Sequence, residues 1–188
     1  GYTSIQCLQD FCMIEGPVYS SLCNKLLQRE FIDKHQLSFD SSLHMWDDLW
    51  FVLRARLYSP IISIVATSFY RYRTDSLKSI TKQNTKRKVE SQLQCANLIA
   101  DFISQHKDLS HYSPIGNFLK FRAKDALFDI QEYHEWRKIY PETHRYIWCY
   151  KCFYGAFRCL QYYLVAKGGI LGSFLLKSYK IIKRACSK

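Results

Sequence analysis

Three stretches decide how this chain is read: GPVYSSLCNKLLQREFI at 16–32, LSFDSSLHMWDDLWF at 37–51 and SFYRYRTDSLKSIT at 68–81. In the second, Asp47 and Asp48 open the apolar run LWFVLRARLY, which Pro60 stops. Acidic residues at a helix start bind free backbone N–H groups and oppose the positive end of the dipole, and proline cannot continue a helix. A helix from Asp47 to the residue before Pro60 follows. Upstream, Gly16-Pro17 separates two helices. The first covers 3–15, with Ile5, Leu8 and Cys12 on one side; the second covers 18–34, with Leu22, Leu26 and Phe31 inward. Residues 36–45 read as irregular or extended. Downstream, IISIVATSFYRYR combines β-branched residues with alternating aromatics, and predicts one or two short strands between Ile61 and Arg73.

Further out the text is helical. Val89, Leu93, Ala96, Ala100 and Ile103 share one face of a helix over 82–107. Another helix is predicted over 114–140, carrying Phe118, Leu119, Leu127, Ile130, Tyr133 and Trp136. From 146 to 166 the polar residues Lys151, Arg158 and Gln161 fall close together on a helical wheel, among Tyr, Trp, Phe, Cys and Leu. Such a helix is either a core element whose polar stripe meets water or an interfacial helix at a membrane surface. Gly168-Gly169 precedes a short basic helix.

At 48% hydrophobic and 16% aromatic, the chain is too apolar for disorder. No apolar run approaches the roughly 20 residues of a membrane span, and the text from Gly1 has no signal-peptide pattern. The expected location is cytoplasmic, with peripheral attachment at the inner face of the membrane as an option. The net charge is +11, and no acidic residue follows Glu142, so the tail suits an anionic surface. No nucleic acid is expected as a partner. Of eight cysteines, Cys149 and Cys152 form a lone CxxC with no second pair and no His at zinc-ligand spacing, so they read as buried thiols and no metal site is assigned.

The ordered pieces Asn24-Lys25-Leu26, Leu37-Ser38-Phe39, Asp47-Asp48-Leu49-Trp50-Phe51, Tyr70-Arg71-Tyr72-Arg73 and Ser79-Ile80-Thr81 resemble the second half of bacterial family-2 inverting glycosyltransferases. Here Asp47 stands where that family usually has Glu, Trp46 where a small residue is common, and Leu27-Gln28-Arg29 where Tyr-Arg-Arg is frequent. The resemblance implies an α+β, mostly helical fold: the C-terminal part of a GT-A (nucleotide-diphospho-sugar transferase-like) domain over 1–81, with short strands, then a helical C-terminal extension over 82–188 with a basic tail. It implies an inverting transfer of a sugar from a nucleotide-sugar donor to a hydroxyl on a glycan or lipid-linked acceptor, in surface polysaccharide or glycan synthesis.

In that picture Asp48 is the catalytic base, and Asp47, Arg73, Lys25, Trp46 and Ser79 bind substrate. A carboxylate must lie within hydrogen-bond reach of the attacking hydroxyl and take its proton as the new bond forms. Asp47, one residue away, points about 100° from Asp48 and reads as a cap or an acceptor contact. Arg73 and Ser79 would meet the donor diphosphate, although Arg71 and Arg73 also suit a solvated strand edge. Trp46 and Trp50 would stack on a sugar or enter the core. The Mn²⁺ or Mg²⁺ expected for the full-length enzyme has no ligands here, since no Asp-x-Asp occurs. The chain therefore reads as a fragment lacking the donor-binding half, not expected to turn over alone. The alternative is a non-catalytic basic helical module that binds a membrane surface or an acidic partner.

Overall fold

The structure, a computed structural model, describes residues 22–23, 25–59 and 86–186. Among them every regular element is helical and no strand occurs. This overturns the α+β, GT-A-like architecture that the resemblance implies. The physical reason is visible in the described text, where apolar residues recur at spacings of three and four rather than two. The strands expected between Ile61 and Arg73, the helix over 3–15 and the boundary near Thr81 lie outside the described residues. The chain divides into two compact units, one ending at Gly116 and the other starting at Asn117.

In the first unit, helix α1 is Arg29–Lys34, α2 is Asp47–Tyr58 and α3 is Lys86–Gln105. α1 is much shorter than the helix predicted over 18–34, and Leu26, expected inward, is fully exposed. It ends without glycine: Gln36 takes a left-handed backbone (φ 49). The Leu37 N–H then reaches the Ile32 carbonyl at 3.0 Å and the Gln36 N–H reaches that of Asp33 at 3.2 Å, a Schellman closure. This turn delivers Leu37 to a core with Phe51 and Ala55, against which Phe31, Ile32 and Tyr58 pack. α2 lies along α3 through edge-on rings, Trp50 and Tyr58 each meeting Phe102 at 5.8 and 5.6 Å. Buried Val89, Cys95, Ala96, Ile99 and Ile103 form the inner face of α3. A 3₁₀ segment, Lys107–Tyr112, follows.

Helix α4, Ser113–Ala123, leads into the second unit, which continues with α5, Asp125–Asp129, and α6, Tyr133–Lys138. These three short helices replace the single one predicted over 114–140. The break again uses a non-glycine Schellman turn, with Gln131 at φ 67 and the Glu132 N–H on the Leu127 carbonyl at 2.9 Å. Ile130, at that turn, is exposed rather than inward. After a 3₁₀ segment, Pro141–Tyr150, helix α7 spans Lys151–Cys186 and is interrupted by non-helical backbone at Gly155 and Gly169. At Gly169 the chain folds back: a Cβ on Gly172 would lie 2.1 Å from the Leu164 carbonyl oxygen.

Aromatic rings fill the core of this unit. Trp136 is stacked between His144 (4.7 Å) and Tyr162 (5.5 Å), with Phe121 and Phe128 edge-on to it. Lys124, fully buried, sends its Nζ to the carbonyls of Ile139 (2.7 Å) and Tyr140 (3.2 Å) and to His144 Nε2 (2.8 Å), and lies 4.6 Å over the Trp136 ring. The polar stripe predicted on 146–166 does not meet water as a stripe. Gln161 is buried, and Arg158 is held at Asp125 (3.1 Å) and Asp129 (2.5 Å), while Phe157, Leu160 and Leu164 face solvent.

Candidate functional site

The acidic pair sits where the sequence places it, at the first turn of α2, but the turn is built differently. The residue before the helix, Trp46, holds a left-handed backbone (φ 68, ψ 16), and no side chain caps the helix from that position. For a bulky residue that conformation costs on the order of 1 kcal/mol, so something must hold it. α3 does so. Ser91 Oγ accepts the N–H groups of His44 and Met45, each at 2.9 Å, and donates to the Met45 carbonyl at 3.1 Å. One turn further on, the Cys95 thiol donates to the Trp46 carbonyl at 3.3 Å, while the Trp50 N–H reaches the same carbonyl at 2.8 Å. Arg87 meets the His44 ring, and Gln94 donates to Ser42 Oγ at 2.7 Å.

Asp48 is half-buried on this scaffold. Its Oδ1 accepts the Leu49 N–H at 2.8 Å. Amide capture within the first turn thus falls to Asp48, while the sequence offers Asp47 as a cap or an acceptor contact. Burial raises the Asp48 pKa above the ordinary carboxylate value, Leu49 and its own N–H oppose that, the Asp47 charge adds to it, and the Lys25 charge lowers it. Lys25, Asp47 and Asp48 therefore share one electrostatic neighbourhood beside Trp46. The same acids, after burial, push the Cys95 thiol up to about 12, so it is a hydrogen-bonding hydrophobe and no nucleophile.

Trp50 belongs to the packing. Arg54 lies 4.3 Å over its ring, and Phe102 meets it edge-on. Arg73 and Ser79 lie outside the described residues. Among the described residues, no group of three or more His, Cys, Asp or Glu could hold a metal ion. The CxxC pair is not buried as predicted: Cys152 is exposed and Cys149 half-exposed, both as free thiols. The residues that sequence reasoning missed are Ser91, Cys95 and Arg87. Only Ser91 carried a signal, as a polar residue on the inward side of an amphipathic helix.

Over 102 residues the chain is 33% identical to a Bacillus subtilis (strain 168) protein named "Putative glycosyltransferase EpsH". The match covers 53% of this chain and 29% of that protein, so the chain spans less than a third of the relative's length. No protein-family model matches the chain, and no solved structure matches it. Over about half its length the sequence is thereby related to a protein that carries that name.

Proposed function

We propose that this chain is part of an inverting glycosyltransferase and carries its acceptor-activating carboxylate, Asp48. The observation that supports this most is the half-buried Asp48 carboxyl, its pKa raised by burial, on a helix start clamped by Ser91 and Cys95. An acceptor hydroxyl attacks the anomeric carbon of a nucleotide-sugar. The new C–O bond forms as the bond to the diphosphate breaks with its electron pair, and the hydroxyl proton passes to Asp48. A raised pKa makes Asp48 a better base than a solvated aspartate, and the fixed backbone of the turn limits reorganisation as the proton moves.

Lys25, Asp47 and Trp46 are proposed to contact the acceptor, a glycan or lipid-linked hydroxyl in surface-polysaccharide or glycan synthesis. Arg73 and Ser79 are proposed, on sequence grounds, to meet the donor diphosphate. A divalent cation would stabilise the leaving diphosphate. The described residues offer no cluster to hold it.

The test uses the polypeptide that carries this sequence together with a donor-binding segment. Proton NMR of the product should show inverted anomeric configuration. Asp48→Asn should lower transfer by about 10²–10⁴-fold, the range for loss of a general base, while nucleotide-sugar binding stays near normal. A variant that keeps more than about a tenth of the rate, or a product with retained configuration, removes Asp48 from this role.

A further inference from the structure

The excess charge of the chain is unevenly placed. The unit from Asn117 carries fourteen Lys and Arg against five Asp and Glu, whereas the unit to Gly116 is close to balanced, thirteen against eleven. In the same cationic unit, α7 exposes an unusual amount of apolar side chain.

Between Gly155 and Gly169, Phe157, Leu160 and Leu164 recur at spacings of three and four and face solvent beside Lys167. Their opposite face is buried, through Cys159, Tyr162 and Val165. Phe157 keeps 59% of its surface exposed. Beyond Gly169 the pattern repeats, with Ile170 (86%), Leu171 (67%) and Phe174 (66%) exposed, followed by Lys177, which is exposed and whose Nζ lies 5.9 Å over the Tyr133 ring. Water-soluble surfaces rarely carry a run of this kind without an occupant. The charged and amide side chains that would normally face water, Arg158 and Gln161, are turned inward instead.

We propose that the outward face of α7 is a docking surface for an anionic lipid membrane. The apolar side chains enter the headgroup–acyl boundary, and the lysines between them meet lipid phosphates. Among the described residues no helix is long and apolar enough to cross a membrane, so the contact lies along the surface. A nucleic acid fits less well, because its phosphates would ask for cations where this face presents Phe, Leu and Ile. The proposal does not rest on the glycosyltransferase reading and stands or falls without it.

The experiment is co-sedimentation of the full chain with phosphatidylcholine vesicles, with and without added phosphatidylglycerol, across a salt series. Binding to the anionic vesicles alone is expected, weakening as salt rises. Lys167→Ala and Lys177→Ala should each reduce it about fivefold. Phe157→Ser with Leu160→Ser, or Ile170→Ser with Phe174→Ser, should abolish it. For Ile170→Ser with Phe174→Ser, circular dichroism and thermal unfolding should stay unchanged, because those two side chains are already mostly exposed.

Three results would overturn the proposal. One is equal binding, or none, to the two vesicle types. Another is binding that follows charge, is competed by duplex DNA and ignores the serine variants. The third is a dimer in light scattering that the serine variants disperse, which would assign the face to a second copy of the chain.

Discussion

Ser91 Oγ both accepts the Met45 N–H at 2.9 Å and donates to the Met45 carbonyl at 3.1 Å, closing the loop before α2 onto the middle of α3. The two residues are 46 positions apart, so this bond is tertiary structure that sets a local turn. Ser91→Ala leaves two amides and a carbonyl in a partly buried place without their partner. Stability should fall by about 1–3 kcal/mol, the cost of stranding buried polar groups. Urea unfolding of the single variant checks this, and an unchanged midpoint would mean that water takes over the bonds.

The fold-back at Gly169 gives a graded set of glycine substitutions. A methyl group on Gly172 would meet the Leu164 carbonyl at 2.1 Å, a distance no side chain tolerates. Gly169→Ala meets a softer obstacle, the Arg137 side chain at 3.2 Å, but must adopt φ 56, which costs about 1–2 kcal/mol. Gly168 has nothing within 4 Å of its added Cβ. Thermal unfolding should rank the alanine variants Gly172 as most harmful, Gly169 next, and Gly168 neutral or stabilising. Equal effects at all three would show that α7 does not fold back there.

His144 supplies a pH dependence. Burial first, then the charges of Lys124, Arg137 and Lys167, hold its pKa down to about 4 from 6.5. Between those values the unfolded chain binds a proton that the folded one does not, so stability falls as pH drops from 6.5 towards 4. Allowing for the partial exposure of the ring, the loss is on the order of 1–2 kcal/mol. His144→Gln keeps an acceptor for Lys124 but does not titrate, and should flatten that limb in urea midpoints at pH 7 and pH 4.5. An identical pH slope in both proteins would exclude His144 as its source.

How much of this was legible follows from which signals are local. The helix at Asp47-Asp48 and its end before Pro60 were readable because acid, apolar run and proline lie adjacent in sequence. The inward face of α3 was readable in part: Val89, Ala96 and Ile103 are buried as their period predicts, while Leu93 and Ala100 are half-buried and Cys95 and Ile99 complete the face. The ends of α1 and α5 were not, since Gln36 and Gln131 take left-handed backbones that sequence reasoning reserves for glycine. The orientation of 146–166 was also missed. A helical wheel shows Arg158 and Gln161 together, but only tertiary partners, Asp125 and Asp129 for Arg158, reveal that this side turns inward. At the candidate site, the position of Asp48 was legible, while the Ser91 and Cys95 clamp joins segments about 46 residues apart and leaves no local trace.

The charges around Asp48 give the sharpest test of its proposed role. If it accepts the hydroxyl proton, it must be ionised to act, and transfer should fall on the acid side through its raised pKa. Two neighbours move that pKa in opposite senses: the Asp47 charge raises it and the Lys25 charge lowers it. Asp47→Asn should therefore shift the acid limb of kcat to lower pH, and Lys25→Met should shift it to higher pH. Neither should abolish the plateau rate above the limb as Asp48→Asn does. A pH–rate series on the three variants, in the polypeptide with its donor-binding segment, separates this from simple damage to the site, which would lower the plateau without moving the limb. Shifts of the same sign in both neighbours, or an acid limb that survives Asp48→Asn, would assign the titrating base to another residue.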